Sequence, residues 1–326
     1  MTAVAHDLWR PSSGCGDQCL PAPGEVPAVP VARRVGRLLA GVGMLLLGAG
    51  LAGLLPVLPA RDGQAAVRAW ARGTARAFGV RLVVRGRLPR RRALLVANHV
   101  SWLDILVVLA VSPSRMVAKR EVRSWPLVGL LATAAGTVFV DRTRPRDLPA
   151  TVGRVADALR GGQAVAVFPE GTTWCAGDGA VDCRPGGGFR PAMFQAAVDA
   201  GAPVVPLRIG YRCTATGHAT TATAFLGEET LLSSVRRVVA ARGLEVAVTV
   251  GAALHPSADA DRRVLARAAE SAVHLVPAGA TAPRSTTSPL APALTGAPVA
   301  AATALPGTPL TGATEHAGPR ELDLAA

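Results

Sequence analysis

The sequence predicts an α/β domain, a mixed and mostly parallel sheet flanked by helices, preceded by an N-terminal membrane-associated helical segment. Three observations carry this. Short apolar runs alternate with helical stretches from residue 80 to 276. Several runs, such as Ala93-Leu94-Leu95-Val96-Ala97, are apolar on both faces, the pattern of strands covered by helices on each side. Leu38 to Ala60 contains no charged residue, and about 20 apolar residues suffice to cross a bilayer core.

Residues 1–32 are rich in Pro, Gly and small polar residues and are expected to lack fixed structure. They do not read as a secretory signal, since the apolar run starts too late and no compact basic start precedes it. The segment 33–79 reads as membrane-associated helix. Arg33, Arg34 and Arg37 precede the apolar run and Arg61, Arg68, Arg72 and Arg76 follow it. Basic residues favour the cytoplasmic side, so arginines at both ends conflict with a spanning helix. A segment that dips into one leaflet removes the conflict; a buried core helix is the other reading. The many glycines, with Pro56 and Pro59, predict a bent helix. Gly48-Ala49-Gly50-Leu51-Ala52-Gly53 fits a dinucleotide-binding pattern but follows no strand, and is rejected. Val67 to Phe78 reads as an amphipathic helix whose arginine face meets either solvent or anionic headgroups.

From residue 80 the domain unfolds in order. Strands are expected at 80–84, 93–97, 116–118, 137–140, 164–168, 204–209 and 246–250. Helical stretches fall at 101–111, 125–135, 148–160, 193–200 and 259–276. The Val-Pro pair in Val204-Val205-Pro206-Leu207-Arg208 places that strand at an edge or at a break, because proline cannot donate to a ladder. Past Pro277 the chain is Ala/Pro/Thr-rich without periodicity, and 277–326 reads as a tail without fixed structure.

Charge narrows the partners. With 35 Lys and Arg against 22 Asp and Glu, the net charge is +13, which favours anionic lipid surfaces, phosphorylated substrates or nucleic acid. Aromatics make up 4% of the chain, too few to interleave a single-strand binding platform, so no nucleic-acid partner is expected. The five cysteines include no Cys-x-x-Cys pair and no Cys/His spacing that suggests zinc. They read as free thiols, and no metal is expected. A Cys175–Cys183 disulfide is geometrically possible but does not suit a reducing compartment.

Four segments that follow strands carry chemistry. Asn98-His99-Val100-Ser101-Trp102-Leu103-Asp104 sets a histidine and an aspartate between a strand and a helix. A histidine oriented by a carboxylate can remove a proton from a hydroxyl near neutral pH. Asp141 and Arg142 end a short strand that begins after Gly136, and an arginine fork there suits a phosphate, although a surface ion pair is the plain alternative. Phe168-Pro169-Glu170-Gly171-Thr172 presents a carboxylate, a glycine and a hydroxyl at a strand end. The Val-Pro strand reads as the wall of an apolar channel.

These four motifs together resemble the glycerolipid acyltransferase family, the 1-acyl-glycerol-3-phosphate acyltransferases and their relatives. Asn98, His99 and Asp104 match its first motif. Gly136, Phe139 and Arg142 match the second, residues 168–172 the third, and Val205 and Pro206 the fourth. Lys119, Glu121, Pro126 and Gly129 resemble the family's connecting segment.

The resemblance implies acyl transfer without a metal, a cofactor or a covalent intermediate. His99 and Asp104 would be the catalytic pair. Arg142, Glu170, Gly171 and Thr172 would bind the acceptor, with Lys119, Arg190 and Arg208 as further cationic candidates. The donor would be acyl-CoA or acyl-carrier protein, the acceptor a membrane lysolipid, and the place a bacterial cell membrane with the site facing the cytoplasm. Lysophosphatidic acid is the leading acceptor. Thr173 and Trp174, and the Gly/Asp/Cys insertion from Cys175 to Gly188, depart from the family beside the acceptor pocket. They keep lyso-ornithine lipid open as an alternative. A hydrolase lacks its Gly-x-Ser-x-Gly elbow, leaving Ser101 as the only nearby serine. A non-catalytic lipid-binding protein would not need the intact His/Asp pair.

Overall fold

The computed structural model describes residues 11–89, 92–176, 183 and 188–275. The expected tail, 277–326, and the first ten residues of the head lie outside them.

Helix α1, Val31–Leu54, runs unbroken through the glycines expected to bend it. It turns at Pro56 and Pro59 into α2, Ala60–Ala77. The glycines serve packing. Gly41 lies against the ring of Phe78 and Gly48 against the ring of Trp70, whose indole N–H donates to the Met44 carbonyl at 2.7 Å. Partners that descend α1 as they ascend α2 make the pair an antiparallel hairpin. Little of its apolar segment is buried: the most apolar window within Val31–Val57 has mean hydropathy 2.2 and is 11% buried. A core helix is excluded on that ground.

Among the described residues seven strands follow: β1 Val80–Arg85, β2 Leu94–Ala97, β3 Arg115–Lys119, β4 Val138–Val140, β5 Val165–Val167, β6 Val204–Cys213 and β7 Leu244–Val250. The intervening helices are α3 Leu103–Val111, α4 Val128–Ala134, α5 Leu148–Arg160, α6 Ala192–Ala200 and α7 Leu231–Ala240, with α8 Arg262–Leu275 after β7. The sheet order is β1-β7-β6-β2-β5-β3-β4, and only β6 and β7 pair antiparallel. Alternate residues of the central strands feed two cores. Leu95, Ala97, Leu207 and Ile209 pack with α2, α3 and α7 on one face. Leu94, Val96, Val165 and Val167 pack with α5, α6 and α8 on the other. Burial on both faces is why these strands read as continuous apolar runs.

Three expectations are corrected. Pro206 does not mark an edge: it sits inside β6, opposite Val96 of β2. Its carbonyl accepts from Gly251 N–H at 2.8 Å, beyond the end of β7, so the missing donor falls where the ladder with β7 stops. Helix α7 was not expected, although Thr230 caps it by accepting from Ser233 N–H. The head is not unstructured from residue 11 onward. Ala28 bridges Ala241, Val29 N–H donates to the Ala240 carbonyl at 2.8 Å, and Arg242 N–H donates to Pro27. Arg37 then donates to the Val239 and Ala241 carbonyls, fixing the start of α1 to the end of α7. Composition read as disorder here is a chain held by tertiary hydrogen bonds.

Candidate active site

The C-terminal ends of β2, β5, β3 and β4 lie side by side, as parallel sheets place their ligands, and β2, β5 and β4 carry three of the motifs; the fourth, Val205-Pro206, lies inside β6 beside β2. β2 ends at Ala97, and Asn98 continues its ladder by side chain. The Asn98 amide donates to the Ile209 carbonyl at 2.9 Å and accepts from Ile209 N–H at 2.8 Å. His99 follows as the chain leaves the sheet.

Asp104 lies in the first turn of α3, where negative charge is favoured. It is fully buried, and four donors surround its carboxylate. Oδ2 accepts from Val100 N–H at 2.7 Å and Ser101 N–H at 2.8 Å, and meets His99 Nδ1 at 2.9 Å. Oδ1 accepts from the Tyr211 hydroxyl at 2.6 Å. Burial, then the Asp104 charge, raises the Tyr211 phenol well above its usual range, so it stays a donor. A carboxylate on Nδ1 selects the tautomer that leaves Nε2 as the acceptor. The imidazole also stacks on Phe168, with centroids 4.0 Å apart and planes 10° from parallel. Its side chain keeps 20% exposure, enough to meet a substrate hydroxyl. Trp102 anchors the same loop outward: its ring meets Phe78 edge-on at 5.1 Å and its indole N–H donates to Ser234 at 3.1 Å.

Glu170, expected at the acceptor pocket, is turned into the protein. It is buried, with Oε2 accepting from His99 N–H at 2.7 Å and Oε1 3.5 Å from His274 Nε2. Burial pushes its carboxyl above the usual range, partly offset by His274 and by the His99 N–H. That hydrogen bond holds the backbone of His99. Gly171 turns the chain with φ 76°, and a side chain there would collide with Pro11 and approach Arg190. Thr172 follows on the same turn, half-buried. Arg190 is tied to this turn through its N–H to the Pro169 carbonyl at 3.0 Å.

The cations divide. Arg142 is half-buried at the end of β4. Desolvation lowers its pKa, Glu121 opposes that shift and Arg190 adds to it, so all three groups lie close enough to interact. Asp141 is engaged elsewhere. It accepts from Thr143 and pairs with Arg120 at 2.6 Å, which together hold its carboxyl at about 2. Lys119, at the end of β3 beside Val140, is exposed with its ammonium 5.8 Å from the Trp125 ring centroid. Arg208 donates to the Val273 and His274 carbonyls at the end of α8. Tyr211 and His274 were missed from sequence, and Phe168 was read only as the start of its motif. Tyr211 had one available signal: it is the chain's single tyrosine.

Known proteins give this geometry a context. A solved structure of the 1-acyl-sn-glycerophosphate acyltransferase PlsC from Thermotoga maritima shares the fold, with a TM-score of 0.53 over 74% of this chain and 92% of that one, at 19% identity. A 1-acyl-sn-glycerol-3-phosphate acyltransferase of Neisseria gonorrhoeae is 39% identical over 148 residues, 45% of this chain and 55% of its own length. A lyso-ornithine lipid O-acyltransferase of Pseudomonas aeruginosa is 35% identical over 252 residues, 75% of this chain and 93% of its own length. The sequence model of the Acyltransferase family matches residues 81–210, the stretch from β1 into β6 that holds all four motifs. Agreement over nearly the whole length of a relative, added to a matched domain that encloses the His99–Asp104 pair, places this chain in the acyltransferase family.

Proposed function

We propose that this chain moves a fatty acyl group from acyl-CoA or acyl-carrier protein to the free hydroxyl of lysophosphatidic acid at a membrane surface. His99 Nε2 takes the hydroxyl proton as the oxygen attacks the thioester carbonyl. The tetrahedral intermediate then collapses: the new C–O bond stays, the C–S bond breaks, and the imidazolium returns the proton to the leaving sulfur. Asp104 holds the tautomer and balances the imidazolium. Gly171 and Thr172 line the neighbouring turn, with Arg190 beside it.

The observation that carries the phosphate is Arg142. It makes no hydrogen bond or salt bridge of its own among the described residues, and a second guanidinium, Arg190, lies near enough to lower its pKa. Two close cations suit a dianionic phosphate monoester. The relative from Pseudomonas aeruginosa favours a second acceptor, lyso-ornithine lipid. Its carboxylate and ammonium would match Arg142 and Glu121.

The test offers both lysolipids to purified protein with each donor. Losing one charge-assisted contact costs about 1.5–3 kcal/mol, so Arg142→Ala should raise KM for lysophosphatidic acid roughly 10- to 100-fold with a smaller change in kcat. An unchanged KM would take the phosphate away from Arg142. Product from lyso-ornithine lipid alone would replace the acceptor and leave the chemistry standing.

The α1–α2 hairpin supports membrane attachment from one side. Both of its ends return to the sheet domain, and Val31, Val35, Leu39, Val42 and Leu46 expose an apolar stripe, Leu39 at 68%. Helical spacing puts them on one face, and Arg68, Arg72 and Arg76 on α2 would meet anionic headgroups. Flotation with anionic vesicles is expected to be lost in a Leu39→Asp/Leu46→Asp variant; undiminished flotation would assign attachment elsewhere.

A further inference from the structure

Four cysteines that acyl transfer does not use come together in the fold. Cys15 and Cys19 arrive from the head, and Cys175 and Cys183 from the insertion after Phe168-Pro169-Glu170-Gly171-Thr172. Their Sγ atoms all lie within 4.8 Å of one another, with Cys19 and Cys183 at 3.6 Å. Cys15 and Cys175 are buried. The spacings, three residues between the first pair and seven between the second, gave no hint because the two halves of the set are far apart in sequence.

The arrangement discriminates between chemistries. A disulfide holds its sulfurs about 2.05 Å apart, and two separate disulfides give no reason for all four sulfurs to be mutual neighbours. One tetrahedral ion does. With Zn–S about 2.3 Å, tetrahedral ligands sit roughly 3.8 Å from one another. An iron–sulfur cluster must fit iron and sulfide inside the cage and needs its thiolates wider apart. Hard cations prefer oxygen ligands. The backbone N–H of Cys175 donates to Cys15 Sγ at 3.2 Å, the kind of hydrogen bond that steadies a metal-bound thiolate.

We propose that Cys15, Cys19, Cys175 and Cys183 hold one structural zinc ion. Four protein ligands close the coordination sphere, so the ion has no place for substrate and takes no part in the chemistry. Its effect is to fasten the head to the loop beside the active site. Ser13 donates to the Thr173 carbonyl at 2.9 Å in the same strap. Trp174, adjacent to ligand Cys175, donates its N–H to the His99 carbonyl at 3.0 Å. The ion therefore stands behind one of the hydrogen bonds that hold the base.

The experiment is metal analysis of the full chain, purified under reducing conditions without chelator. The expected result is about one zinc per chain, the stoichiometry of a closed four-thiolate site. Cys15→Ser and Cys183→Ser should each lose most of it, while Cys213→Ser, outside the cluster, should retain it. Should a variant fail to fold, the unsubstituted chain still decides. Exchange of its zinc for cobalt should give the intense visible and thiolate charge-transfer bands of tetrahedral Co(II). Absence of stoichiometric metal, with five reactive thiols or with a mass showing two disulfides, would overturn the proposal. Iron in place of zinc would overturn the ion, and full zinc retention in Cys15→Ser and Cys183→Ser would overturn the ligands. None of these outcomes depends on which lysolipid is acylated.

Discussion

His99→Ala is expected to lower kcat for acyl transfer about 10³-fold, within the range that a positioned general base supplies. The fold should survive. The imidazole is one of four donors on Asp104, and removing it leaves the carboxylate with Val100 N–H, Ser101 N–H and the Tyr211 hydroxyl. Backbone contacts to Glu170 and Trp174 do not involve the side chain and persist. The main structural loss is the stack on Phe168, worth about 1 kcal/mol as an aromatic pair. KM for the acceptor should therefore change little. Steady-state kinetics with a thermal melt separates the cases. A variant keeping more than roughly a tenth of wild-type kcat would fall below the range of general-base catalysis and remove His99 from the chemistry. A melt lowered as strongly as activity would make the effect one of folding.

The contrast between what the sequence revealed and what it hid follows from distance along the chain. The His99–Asp104 pair is local: a strand end, a loop and a helix start fix it, and the apolar runs on either side make those boundaries readable. Helix α5 was likewise placed at its observed limits because its amphipathic pattern is self-contained. Tyr211 reaches Asp104 across 107 positions, and nothing near Tyr211 announces that contact. Glu170 was located but its direction was misread. The turn at Gly171 carries the carboxylate inward to the His99 N–H, and a backbone conformation of that kind is not written in residue type. Arg208 failed for the same reason: its charge suggested an anion, whereas its place on β6 faces the end of α8, whose packing had not been inferred. The head was judged by composition, which is a statement about what a segment can bury alone. Its partners are α7 and the insertion beside the site, and neither is local.

Asp104→Asn separates the charge of the buried carboxylate from its scaffold role. An amide oxygen in the place of Oδ2 can still accept from Val100 N–H, Ser101 N–H and His99 Nδ1–H, and the NH₂ in the place of Oδ1 can donate to the Tyr211 oxygen. The geometry that selects the tautomer is thus preserved, and what disappears is the negative charge opposite the imidazolium. We expect kcat to fall roughly 10²- to 10³-fold, with a melting temperature near that of the wild type, since removal of a general base as a whole spans about 10²–10⁴. Asp104→Ala should behave differently. It orphans two backbone N–H groups and a hydroxyl at a fully buried position, each costing about 1–3 kcal/mol. That sum is a large part of the total stability of a domain, so the alanine variant should be recovered poorly or melt far lower. Equal activity loss in both variants, with only alanine unstable, would assign the catalytic effect to charge. Near-wild-type activity in the asparagine variant would show instead that Asp104 acts by holding the loop and the tautomer, and that the imidazolium is stabilised by other groups.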